Sequence, residues 1–186
     1  MSDYNFTNEM MEKGDLADNL RNIVHAIFDN DKDSCIHSNY RPGNEMRIDI
    51  DTADPQRLLD DASSYFIYEH LGFCGCGIPN ASLRKVVDYL EIANQWSKDI
   101  NESTDLWHDH KPSENRQQGM KEKFGVKDEC EDPLVQFLVY IIDHNGFTDH
   151  GSSITGCWIT DKGRACLYVL KLYLEKSDEE EEKDDN

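Results

Sequence analysis

Five stretches of this chain repeat apolar residues at spacings of three and four, and only short ones alternate, so helices must supply most of any core. Over residues 7–28, Leu16, Leu20, Ile23, Val24 and Phe28 line one helical face, widened by Ala26 and Ile27. Asp54-Pro55 offers an N-cap followed by proline at the first helical position. The helix it opens carries Leu58, Leu59, Ala62, Tyr65 and Phe66 and stops at Gly72. A third helix spans about 80–96 on Leu83, Val86, Val87, Leu90 and Ala93. Asp132-Pro133 repeats the cap-and-proline start before the nearly all-apolar run Leu134 to Ile142, which ends at Asn145-Gly146. Thr160 caps a final helix over 161–176 whose Cys166, Leu167, Val169, Leu170, Leu172, Tyr173 and Leu174 leave little polar face.

The β signals are smaller. Met46, Ile48 and Ile50 alternate over 45–51, the pattern of one half-buried strand. Phe147 to Thr160, punctuated by Gly151 and Gly156, reads as a hairpin. The expected class is therefore α+β, mainly helical: a helical body, a small β element and a C-terminal helix–hairpin–helix. The expected division is a helical region over 1–131 and a helix–hairpin–helix module over 132–176. The first contains a Cys/Gly-rich interhelical turn at 72–79 and a polar loop at 97–131, in which a short helix over 113–124 stops at Gly125. The last ten residues, 177–186, are expected to be a disordered acidic tail.

Charge narrows the function. The 186 residues hold 19 Lys and Arg against 38 Asp and Glu, a net charge of −19. Six units of that belong to the tail and thirteen remain on the body. Binding nucleic acid rests on Lys and Arg neutralising phosphates, and a body of this sign repels them. The same field favours encounter with a basic protein. On that reading Asp49, Asp51, Asp60 and Asp61 are candidate partner-binding acids, and Trp96 and Trp107 are candidate exposed anchors. No apolar run reaches the ~18 residues that would cross a bilayer. Met1 to Asn5 shows no basic and apolar leader pattern, so a cytoplasmic location with reduced thiols is expected.

A second class of function centres on Gly72-Phe73-Cys74-Gly75-Cys76-Gly77-Ile78-Pro79. Cys74 and Cys76 can offer two thiolates to zinc, with further ligands from Cys35, His37, Cys130 or the His108-Asp109-His110 cluster. The result would be a zinc-stabilised domain or a small metalloenzyme. None of these stands as a second paired-cysteine motif, and the same turn suits small thiols buried as apolar groups. The acids at 29, 31 and 33 imitate the start of a calcium loop, but Ser34 replaces its glycine and Tyr40 its final glutamate. No nucleophile elbow, zinc-protease motif or phosphate-binding glycine loop occurs, and no catalytic residue or organic cofactor is expected.

Two resemblances follow from these residues. Ile159-Thr160-Asp161-Lys162-Gly163-Arg164 resembles the Leu-Thr-x-x-Gly-Arg segment after the wing of MarR-like regulators, and the likeness extends over roughly 132–176. It implies a winged helix and, as a third function, a DNA-binding regulator. In those regulators a basic helix enters the major groove, whereas the helix before this hairpin has neither Lys nor Arg. With Gly75-Cys76-Gly77-Ile78-Pro79 and His150-Gly151-Ser152-Ser153-Ile154-Thr155-Gly156-Cys157-Trp158, the chain also looks like the small acidic proteins of bacteriophages and other mobile elements. Among these are anti-CRISPR and other anti-defence inhibitors. That likeness implies a non-enzymatic inhibitor in the host-cell cytoplasm that docks on a nucleic-acid-guided nuclease or another defence effector, with no direct contact to nucleic acid or membrane.

Overall fold

The computed structural model describes residues 4–30, 54–71, 79–103, 111–150 and 156–184. They form seven α-helices and one two-stranded antiparallel sheet, so the chain is mainly helical with a small β element. The expected strand over 45–51 lies outside the described residues. The helices divide between two compact units. One comprises 1–80 and 168–186, the other 81–167. The division expected at 131 falls inside the second unit.

In the first unit the single helix expected over 7–28 is two: α1, Asn8–Lys13, and α2, Leu16–Asn30. The break has two local causes. A Cβ on Gly14 would lie 2.6 Å from the Met10 carbonyl oxygen, and Asp15 starts a new helix by accepting from the amides of Ala17 (2.9 Å) and Asp18 (3.2 Å). Leu20, Ile23, Val24 and Ile27 of α2 are buried, as their spacing requires. α3, Pro55–Ser64, starts as read: Asp54 Oδ1 accepts from the Gln56 amide at 3.0 Å with proline at the first turn. It runs on as π-helical turns over Tyr65–Leu71, burying Tyr65, Phe66, Ile67 and Leu71.

The second unit holds most of α4, Asn80–Glu102, together with α5, Lys111–Phe124, a 3-10 turn at Glu129–Glu131, and α6, Pro133–His144. α4 outruns its expected end at 96, and α5 begins two residues before the expected start. α5 stops where expected, at Gly125, whose φ of +76° favours glycine. α6 starts on Asp132, whose Oδ1 accepts from the amides of Leu134 (2.7 Å) and Val135 (3.3 Å). It ends at Asn145 and Gly146, the latter at φ +71°.

The hairpin pairs β1, Thr148–Asp149, with β2, Trp158–Ile159, placing Thr148 opposite Ile159 and Asp149 opposite Trp158. The helix–hairpin–helix order is therefore present. α7, Asp161–Asp184, follows; its residues to Leu167 belong to the second unit and those from Tyr168 to the first. α7 does not end at Lys176, so most of the expected disordered tail is helix instead. Within the first unit, Ser177 Oγ accepts from Asn80 Nδ2 at 2.8 Å, and Lys176 Nζ lies 3.0 Å from Asp60 Oδ1.

Candidate partner-docking site

The Thr160-Asp161-Lys162-Gly163-Arg164 segment forms a local hydrogen-bond network. Thr160 Oγ1 accepts from the Gly163 amide (3.0 Å) and donates toward the carbonyls of Gly146 (2.7 Å) and Phe147 (3.1 Å). Its own amide donates to the Phe147 carbonyl at 3.1 Å. Gly163 lies so close that a Cβ there would sit 1.9 Å from the same oxygen. Arg164 turns back to Asp161 and, at 3.4 Å, to the Ile159 carbonyl. The Thr-x-x-Gly-Arg segment is thus a clamp that seats the first turn of α7 on Gly146 and Phe147, just before β1, and its hydrogen bonds are spent inside the fold.

α4, α5 and the 3-10 turn hold a buried polar cluster. Glu129 is fully buried, and its Oε1 accepts from the Tyr89 hydroxyl at 2.8 Å and from Arg116 Nη2. Glu129 Oε2 and Arg116 Nε find no hydrogen-bond partner among the described residues. The Arg116 guanidinium lies 6.0 Å from the centre of the Trp96 ring. Trp96 Nε1 donates to the Gly156 carbonyl at 2.9 Å, and the Ile159 amide donates to Ser97 Oγ at 2.9 Å, tying α4 to the hairpin. Cys157 is buried beside Tyr89; burial pushes both its thiol and the Tyr89 hydroxyl above their ordinary pKa values. The Cys166 thiol is raised for the same reason.

These shifts carry a pH expectation. A buried acid whose folded pKa is raised keeps its proton while the unfolded chain loses it, so stability falls once pH passes the unfolded thiol value of about 8.5. Lys123 acts in the same direction. Its hydrogen bond to Asp88 (2.9 Å) raises its pKa, and that stabilisation disappears as pH climbs through the raised value. The urea midpoint is expected to be lower at pH 10 than at pH 7.5, with a smaller drop in C157A/C166A. An equal midpoint at both pH values would contradict the burial of these groups.

The sequence-derived site residues fare unevenly. Cys74, Cys76, Cys35, His37, Asp49, Asp51, Trp107, His108 and His110 lie outside the described residues. Cys130 is exposed beside the capping carboxylate of Asp128, which accepts its amide at 2.8 Å. Among the described residues, no three His, Cys, Asp or Glu side chains come together as a metal site, and no helix is long and apolar enough to cross a membrane. Asp60 is held by Lys176 and by Gln56 Nε2 at 3.0 Å, and Asp61 is half-buried. Trp96, expected as an exposed anchor, is half-buried and bonded to the hairpin, so it serves the fold. The open groove it lines with Arg116, Asn115 and Lys123 has about 240 Å³, below the ~300–1,000 Å³ of typical ligand sites.

Large apolar side chains are exposed elsewhere: Leu16 and Tyr68 in the first unit, and four more on α6 and β2. On α6, Leu134 is 79% exposed, Phe137 63% and Tyr140 57%, while Val135, Val139 and Ile142 on the opposite arc are buried. Trp158 on β2 is 40% exposed. All four lie within Asp128 to Asp161, a stretch with seven Asp and Glu and neither Lys nor Arg. The charge is unevenly placed along the chain. The first unit carries −14 and the second −5, which together make the −19 of the whole. Within the second unit, 81–127 is neutral and 128–161 carries −7. No family model matches the chain, nor does any curated protein or solved structure.

Proposed function

We propose that this chain is a non-enzymatic binding protein whose acid-rich surface docks on a basic, nucleic-acid-binding protein and blocks it, in the manner of an anti-defence inhibitor. The uneven charge is the observation that carries this reading: 128–161 holds seven acids and neither Lys nor Arg, and with Glu129 paired to Arg116 and Asp161 to Arg164, the acids Asp128, Glu131, Asp132, Asp143 and Asp149 set the sign of this stretch. Such a field accelerates encounter with a basic groove and repels phosphate. The helix before the hairpin, which a DNA reader would stud with Lys and Arg, presents Leu134, Phe137 and Tyr140 instead. The partner fits a nucleic-acid-guided nuclease or another defence effector, and the place of action is the cytoplasm.

The test is affinity capture on the immobilised full chain from a lysate of its native host, with stepwise salt elution. Raising salt to 1 M shortens the screening length to about 3 Å, which removes long-range attraction. A basic nucleic-acid-binding protein retained at low salt and released by that step is the expected result. Glu131→Gln and Asp149→Asn, at exposed acids of that stretch, weaken its capture. Retention of a DNA fragment by the chain itself at low salt, or capture of acidic proteins alone, would overturn the reading.

A further inference from the structure

The exposed face of α6 needs an occupant. At 100° per residue, Leu134, Phe137 and Tyr140 fall within one third of the helix circumference, and Ile141 and His144 fall inside the same arc. From Leu134 to Tyr140, at 1.5 Å per residue, the apolar strip is about 9 Å long, nearly two turns of helix. Adjacent aromatic and aliphatic side chains left in water mark a contact surface. The nearest acids are fixed in place: Asp132 and Asp128 each accept backbone amides, and Glu131 Oε2 accepts the Lys127 amide at 2.7 Å. Asp143 stands near the other end of the strip, 3.3 Å from His150 Nε2.

We propose that this face docks an amphipathic helix of the basic partner, whose apolar side covers Leu134, Phe137 and Tyr140 and whose border lysines and arginines meet Glu131, Asp132 and Asp143. This inference rests on the reading of the chain as an acidic binding protein and adds where, and by what kind of segment, it is held. Charge selects the occupant. A second copy would set the −7 stretch against another −7 stretch, whereas a helix with apolar anchors and basic borders answers both features of the strip. Phe137 and Tyr140 also offer ring faces to the cations.

The probe is a fluorescein-labelled, helix-forming peptide of about five turns, with leucines on one face and lysines on its borders. Its companion is a scrambled peptide of the same composition that lacks an apolar face. Anisotropy on the full chain is expected to show tighter binding of the amphipathic peptide than of the scrambled one. The variant L134Q/F137Q/Y140Q is expected to lose about tenfold or more in affinity for the amphipathic peptide. These side chains are exposed, and a thermal melt matching the parent chain confirms that the variant is folded. Equal binding by the variant would overturn the α6 assignment while leaving the acidic-binder reading intact. Failure of both peptides to bind at low salt would count against that reading as well. A concentration-dependent dimer of the parent chain that the variant abolishes would replace the partner helix by a second copy, and would overturn the proposal.

Discussion

Gly163→Ala is expected to destabilise the chain by about 2–4 kcal/mol, although alanine is the better helix former by up to about 1 kcal/mol. The reason is the close approach of α7 to Phe147, just before β1. An added methyl would stand 1.9 Å from the Phe147 carbonyl oxygen and 2.8 Å from Ile159 Cγ1. The Ile159 side chain can shift, but the carbonyl cannot, because it accepts from both the amide and the hydroxyl of Thr160. The first turn of α7 must therefore move away from the hairpin and break those bonds. Urea unfolding of Gly163→Ala beside the exposed control Glu175→Ala measures this. The control should stay within about 0.5 kcal/mol of the parent chain. A neutral or stabilising Gly163→Ala would show that the clamp is not built as described.

Arg116→Met and Glu129→Leu should each cost about 3–5 kcal/mol, because each leaves an ion buried without its counter-charge. Glu129 is fully buried and Arg116 nearly so, and neither has another ionic partner to fall back on among the bonds described. The double variant removes both charges together. It should cost less than either single change, a coupling of more than about 2 kcal/mol in a double-mutant cycle. Additive single effects below about 1 kcal/mol would mean that water reaches the pair.

Local rules made much of the fold legible. Asp54-Pro55 and Asp132-Pro133 announce helices because an N-cap acts within three residues, and Gly125 and Gly146 end them because left-handed backbone is a one-residue property. α5 was harder to read. Its buried members are Pro112, Arg116 and Met120, so an ion pair and one methionine replace the apolar stripe that periodicity detects. α4 outlasts its stripe through Lys98, Asp99 and Glu102, and α7 carries its helix into a run of acids that composition alone assigns to solvent. The Tyr89–Glu129–Arg116 cluster joins residues 40 and 13 positions apart, and no local pattern marks it. For the docking strip the sequence shows an apolar helix without bases; the exposure of Leu134, Phe137 and Tyr140, against the burial of Val135, Val139 and Ile142, is a tertiary fact.

On the proposed function, the acidic surface competes with nucleic acid for a basic partner. The direct measurement is a competition at low salt: the captured basic protein is loaded with fluorescently labelled nucleic acid, and the full chain is titrated in while anisotropy is followed. The label is expected to be released to its free value, and Glu131→Gln and Asp149→Asn to shift the titration to higher concentration. A rise in anisotropy, with chain, partner and nucleic acid held in one complex, would contradict it.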